Sequence, residues 1–129
     1  MNKILVEVSV GELLDKISIL EIKKEKISNK ESLEFINKEY AVLKEQLNKN
    51  VKSDEKLNNL FESLKKINSR LWGIEDQKRL YEKNSDFGDG FIKVSRDIHF
   101  LNDDRSKIKL EINKYTGSKI REIKEYTNY

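Results

Sequence analysis

The sequence lacks cysteine and proline altogether, and glycine is scarce, five in 129 residues. Without cysteine there is no disulfide, no thiolate metal ligand and no cysteine nucleophile. Such a chain suits a reducing environment, so a cytoplasmic location is expected. Without proline, and with little glycine, few positions break or weaken a helix. Histidine is nearly absent too: His99 stands alone, too little for structural zinc, which usually takes four nitrogen or sulfur ligands. Apolar runs are short, as at Ile4-Leu5-Val6, whereas a membrane span needs about 20 such residues. The start of the chain also lacks the apolar stretch of a secretory signal. Neither a membrane, a metal nor a cofactor is therefore expected.

A strong charge of one sign is missing as well. Lys and Arg number 26 and Asp and Glu 23, with a formal net charge of +3, and the signs are interleaved. That pattern describes solvated helix faces. A nucleic-acid footprint needs basic residues gathered on one side, so nucleic acid is not an expected partner. Arginine is scarce in a lysine-rich chain, and a retained arginine then points to a need for its planar fork of donors. The five are Arg70, Arg79, Arg96, Arg105 and Arg121.

What is abundant is helical periodicity. The length fits one domain, residues 1–129, large enough to fold without staples. Ile4, Val6 and Val8 alternate with Leu5, Glu7 and Ser9, which reads as a short extended arm. Ser9-Val10-Gly11-Glu12 then looks like a capping box, Ser9 and Glu12 each satisfying a free backbone N–H. A first helix follows over about residues 10–28. Its stripe of Val10, Leu13, Ile17, Leu20 and Ile27 is widened by Leu14, Ile19 and Ile22, and a wide stripe suggests more than one neighbour. Ser28-Asn29 precedes a second helix over about residues 30–48, with a polar loop at 48–54. The third, residues 54–83, holds a heptad rhythm through Leu57, Leu60, Leu64, Ile67, Leu71 and Ile74, with Lys78 its one polar member before Tyr81. A turn at 84–90 leads to a fourth helix through Phe91, Val94, Ile98, Leu101, Arg105, Ile108 and Ile112, stopped by Gly117. Residues 118–126 read as a short last helix or a strapping tail. The expected fold is all-α: an elongated bundle of about four long antiparallel helices.

Beside the core stripe of the third helix lies another, Asn68, Trp72, Glu75 and Arg79. Folding back at 84–90 sets Arg79 level with Ser95, Glu75 with His99, Trp72 with Asn102 and Asn68 with Arg105. Arg96, Asn102, Asp103 and Asp104 are close by. One reading is a pocket for a small anionic or sugar-like ligand, with Trp72 as a stacking face and Arg79, Arg96 and Arg105 as bidentate donors. The other, preferred here, is an ion-pair network that fixes helix register. In it Arg79 and Arg105 pair with Glu75, Asp76 or Asp103. Asp86 and Asp89 lack EF-hand spacing and read as turn and cap residues. Glu31–Glu34 and Glu12–Asp15 match the paired carboxylates of small helical pyrophosphohydrolases only in reversed order, so that match is rejected. No phosphate loop or serine elbow is present.

Three segments carry a resemblance: residues 8–23, from Val8-Ser9-Val10-Gly11-Glu12 to Ile22-Lys23; Leu71-Trp72-Gly73-Ile74-Glu75-Asp76 with Arg79; and Asn102-Asp103-Asp104-Arg105 with residues 107–109. Together they resemble an uncharacterised helical family, a domain of unknown function of bacteria and their phages. The likeness covers nearly the whole chain. It implies a setting among genes for glycosyl transfer and surface polysaccharide, and it assigns no activity. The family pattern has an acidic residue at Gly73, an aromatic nearer Tyr at His99, and a different tail from Glu122 to Tyr126. Trp72, Glu75, Asp76, Arg79, Asn102, Asp103 and Arg105 keep to it and are the candidate ligand-binding residues; no catalytic residue is assigned.

The function expected is a non-enzymatic helical module that associates with itself, as a dimer through the apolar flanks of the first and second helices with Ile19 and Ile22 among them, or with a protein partner. The alternative is a binder of, or enzyme for, a phosphorylated sugar or nucleotide.

Overall fold

The computed structural model describes residues 1–120, 122–125 and 127. Its helices are α1 (Val10–Lys26), α2 (Lys30–Asn50), α3 (Glu55–Lys83) and α4 (Asp89–Thr116). Each boundary has a local cause. The Ser9 hydroxyl accepts from the Glu12 N–H, Asn29 caps α2 through the Ser32 N–H, and Asp54 caps α3 through the Leu57 N–H. Gly117 ends α4 in the left-handed conformation at φ 68°, which only glycine adopts without a steric penalty. The capping box is half realised: the Glu12 carboxylate turns to Lys109 Nζ at 2.7 Å rather than to the backbone. α2 runs two residues past its expected end, so the loop before α3 shrinks to residues 51–54. The described residues after Gly117 form no helix. Arg121 and Tyr126, part of the expectation for the tail, lie outside the described residues.

The α3–α4 hairpin is the long axis, its helices each about 43 Å at 1.5 Å per residue. α1 lies on it and packs against all three other helices, while α2 packs on α1. The wide apolar stripe of α1 has this cause. Leu14, Ile17, Leu20 and Ile22 are buried on a helix with neighbours on several sides. α1 runs antiparallel to α4, since Gly11 meets Asn113, Glu12 meets Lys109 and Asp15 meets Arg105. Leu13, Leu14 and Ile17 form the core with Leu47, Leu57, Leu64 and Ile112. Leu57, Leu64 and Leu71, seven residues apart, are the buried members of the α3 heptad. The core therefore fills the part of the hairpin away from its turn. Nearer the turn, Leu80, Phe87, Ile92 and Phe100 stand exposed.

Ile22 is 1% exposed. The Ile22 part of the flank expected to carry a dimer contact is thus used within the chain, because α1 is sandwiched rather than peripheral; Ile19 is half-buried, and on α2 Phe35 and Val42 stay exposed.

Candidate functional site

The most concentrated polar chemistry lies on α1. Gly11, Asp15, Ser18 and Ile22 follow one another at intervals of four, three and four, which puts them on a single helix face, and all four are buried. That face meets the seam between α3 and α4. Asp15, 1% exposed, is the centre. Its Oδ1 accepts from Asn68 Nδ2 at 2.9 Å and from Arg105 Nε at 3.0 Å, and its Oδ2 accepts from Arg105 Nη2 at 2.5 Å. Lys109 Nζ stands 3.6 Å from Oδ2. Ser18, fully buried, accepts from Asn68 Nδ2 at 2.8 Å and donates to the Asp15 carbonyl. Asn68 and Arg105 thus share one acceptor, which puts these two residues at the same level as expected.

The network continues to the surface. Lys109 donates to Glu12 and, at 3.2 Å, to Glu122 of the tail, and Glu12 also faces Lys16 at 3.8 Å. At the start of α1, three N–H groups that a helix leaves without internal partners are satisfied by side chains. Val10 N–H reaches the Ser118 hydroxyl, Gly11 N–H reaches Asn113 Oδ1 at 2.7 Å, and Glu12 N–H reaches the Ser9 hydroxyl; Leu13 N–H makes the first intrahelical bond, to the Ser9 carbonyl.

Electrostatics follow from this packing. Burial pushes the Asp15 carboxyl up, but the Arg105 and Asn68 hydrogen bonds and the charges of Arg105 and Lys109 outweigh it and hold the group below its ordinary value. The Asp15 hydrogen bond likewise raises Arg105. Burial pulls the Lys109 ammonium down, yet Glu12 and Asp15 leave it raised. A general base needs an accessible lone pair and a pKa near the working pH. Asp15 has neither: donors occupy both oxygens, it is buried, and it holds no proton near neutrality. What the arrangement can do is clamp three helices together.

Of the candidate ligand residues, Arg105 belongs to this clamp. Its partner is Asp15 on α1, which corrects the expected pairing with Glu75, Asp76 or Asp103. α1 fills the space over the hairpin seam and supplies the carboxylate from outside the two-helix frame. Glu75, Asp76 and Arg79 are exposed on α3, and Trp72, Asn102 and Asp103 are half-buried. His99 Nε2 lies 4.0 Å from Asp103. The stripe from Asn68 to Arg79 therefore divides, with Asn68 buried at 5% and Glu75 and Arg79 in solvent. Asp15, Ser18 and Lys109 are the members that sequence reasoning passed over. Their available signal was the Gly11–Asp15–Ser18 spacing on a helix already expected to have several neighbours.

Two grooves lie elsewhere. One of about 250 Å³ is lined by Val10, Asn50, Val51, Lys52, Asp54, Leu57, Tyr115 and Thr116. There Asp54 accepts a short hydrogen bond from the Tyr115 hydroxyl. A crevice of about 80 Å³ lies between α1, α2 and α3 at Leu14, Leu47 and Phe61. None of the candidate ligand residues lines either. Among the described residues no three His, Cys, Asp or Glu side chains are grouped to hold a metal ion, and no helix is long and apolar enough to cross a membrane.

Residues 4–129 match the family described as a family of unknown function, DUF6165, and the chain belongs to that family. No curated protein and no solved structure matches it.

Proposed function

We propose that the protein is a non-enzymatic helical interaction module that associates with itself or with a protein partner. One observation carries the reading: the polar groups buried around Asp15 are closed on one another, although the Ser95 hydroxyl elsewhere on α4 is buried without a partner, while large apolar side chains are left in solvent. An active site has the opposite arrangement, with polar groups open to a cleft. The exposed apolar residues include Ile4, Leu5, Val6 and Val8 at one end, Leu80, Phe87 and Ile92 near the hairpin turn, and Phe35 and Val42 on α2. Trp72, Glu75, Asp76, Arg79, Asn102 and Asp103 on this reading form a polar rim to the hairpin contact, not a ligand pocket. A partner drawn from glycosyl-transfer or surface-polysaccharide machinery belongs to the same proposal and rests on the family resemblance alone.

Sedimentation velocity over a range of concentrations tests it, paired with thermal melts in phosphate and in a sugar nucleotide. The module predicts concentration-dependent association or a stable complex with a partner, and unchanged melts. A melting temperature raised by either ligand, with the rise abolished in Arg79→Ala, would overturn it in favour of a small-molecule site.

A further inference from the structure

Residues 1–8 are all exposed and belong to no helix or strand. Ile4 and Leu5 expose 89% and 90% of their surface, although aliphatic side chains are the ones a folded chain normally removes from water. The segment is rich in β-branched residues and contains neither glycine nor proline, so its local preference is extended and it carries no turn signal. Ser9, at φ −71° and ψ 159°, hands the chain from extended backbone directly into α1. Among the described residues there is no strand whose edge this segment could join.

We propose that the arm pairs with the same arm of a second copy of this chain, antiparallel about Leu5, so that Lys3 of each faces Glu7 of the other. This rests on the self-association reading above and specifies its surface. Charge complementarity selects the register. Pairing about Leu5 opposes Lys3 to Glu7 twice and Ile4 to Val6 twice, and opposite charges directly across an antiparallel pair are favourable. Pairing about Glu7 or about Lys3 sets like charges together. A slip of one residue mixes the face bearing Lys3, Leu5 and Glu7 with the apolar face bearing Ile4, Val6 and Val8. A two-stranded ribbon is marginal without a backing surface. Here one is at hand, because the arm leaves the bundle at Val10, which lines the 250 Å³ groove with Val51, Leu57 and Tyr115 beside the polar Lys52 and Asp54. The apolar face of the ribbon packs over that groove, and the two bundles meet at their core ends.

The chain has no cysteine of its own, so single-cysteine variants of the full chain read the register directly. In Leu5→Cys the two thiols oppose each other within disulfide reach. In Glu7→Cys they are displaced by four residues, about 13 Å along the ribbon, beyond the roughly 7 Å limit between Cα atoms. Oxidation should therefore give a covalent dimer of Leu5→Cys at least about tenfold faster than of Glu7→Cys. Lys3→Glu places like charges opposite each other twice per dimer and should weaken association about tenfold. Adding Glu7→Lys should restore it. Equal cross-linking at both positions, or a swap that fails to rescue, overturns the pairing. If the chain dimerises with an affinity indifferent to Lys3→Glu and Leu5→Cys does not cross-link, the arm is refuted while self-association stands. A monomer at every concentration refutes both.

Discussion

Asp15 shows how one buried charge can decide the behaviour of several residues. With a single opposing cation it would be costly, since the mutual attraction of two buried ions barely offsets their loss of water. Here three donors converge on it, Arg105 in bidentate fashion. Removing Arg105 leaves the carboxylate 1% exposed with Asn68 and the more distant Lys109. Arg105→Met should therefore cost about 3 kcal/mol at neutral pH, the lower end of the range for stranding one member of a buried pair. The pH dependence identifies the partner. Asp15 is held below its ordinary value of 3.8 in the folded protein. Its contribution is then fully present above that value and is lost as pH falls through the lower, folded one. In Arg105→Met the folded carboxyl loses its strongest donor and moves up, so acid removes less stability from the variant than from the parent. Urea unfolding of both proteins should show a gap that is widest near neutrality and narrows from about pH 4 downward. A gap that stays constant to pH 3 would mean that the cost comes from lost packing instead.

At the scale of elements, α1 is the piece whose placement organises the others, and Gly11 sets how close it comes to α4. A Cβ at Gly11 would sit 2.6 Å from the Lys109 carbonyl oxygen and 2.9 Å from Asn113 Oδ1. The first of these is backbone and cannot retreat unless α4 moves, and α4 is held by Asp15 about one turn away. Gly11→Ala should cost about 1–3 kcal/mol, the usual penalty for overfilling a packed contact. Gly73 is the internal control. It lies in the middle of α3 with nothing within 4 Å of its missing Cβ, so Gly73→Ala should instead stabilise by about 0.5–1 kcal/mol through helix propensity. Opposite signs in thermal melts are the expected result, and two changes of the same sign would refute the close approach. The contrast also marks what could be read without coordinates. Helix limits came within two or three residues because their causes are local: the hydroxyl of Ser9, the side chains of Asn29 and Asp54, the conformational freedom of Gly117. The level of Asn68 with Arg105 was legible because a short turn joins their helices. The Asp15–Arg105 pair spans 90 positions and depends on where a third helix lands, which no periodicity encodes. The same docking removes Ile22 from the surface.

For the molecule as a whole, the balance of surfaces is what favours association. A net charge of +3 provides little long-range repulsion between copies, and exposed aliphatic and aromatic side chains stand at the arm and at the hairpin turn as well as on α2, at Phe35 and Val42. Anything that binds the folded state and not the unfolded one raises apparent stability by mass action. For a dimer of this chain, a tenfold rise in concentration adds about 1.4 kcal/mol per dimer, or about 0.7 kcal/mol per chain. An unfolding entropy of about 2.1 cal/mol/K per residue converts that to roughly 2–3 °C. Scanning calorimetry from about 5 to about 500 μM should therefore move the melting temperature of the parent upward by about 5 °C. The Lys3→Glu variant should show a smaller slope, with a melting temperature that falls further below the parent's as concentration rises. A melting temperature that is flat across the range in the parent would leave the exposed ends of the molecule to a different protein partner.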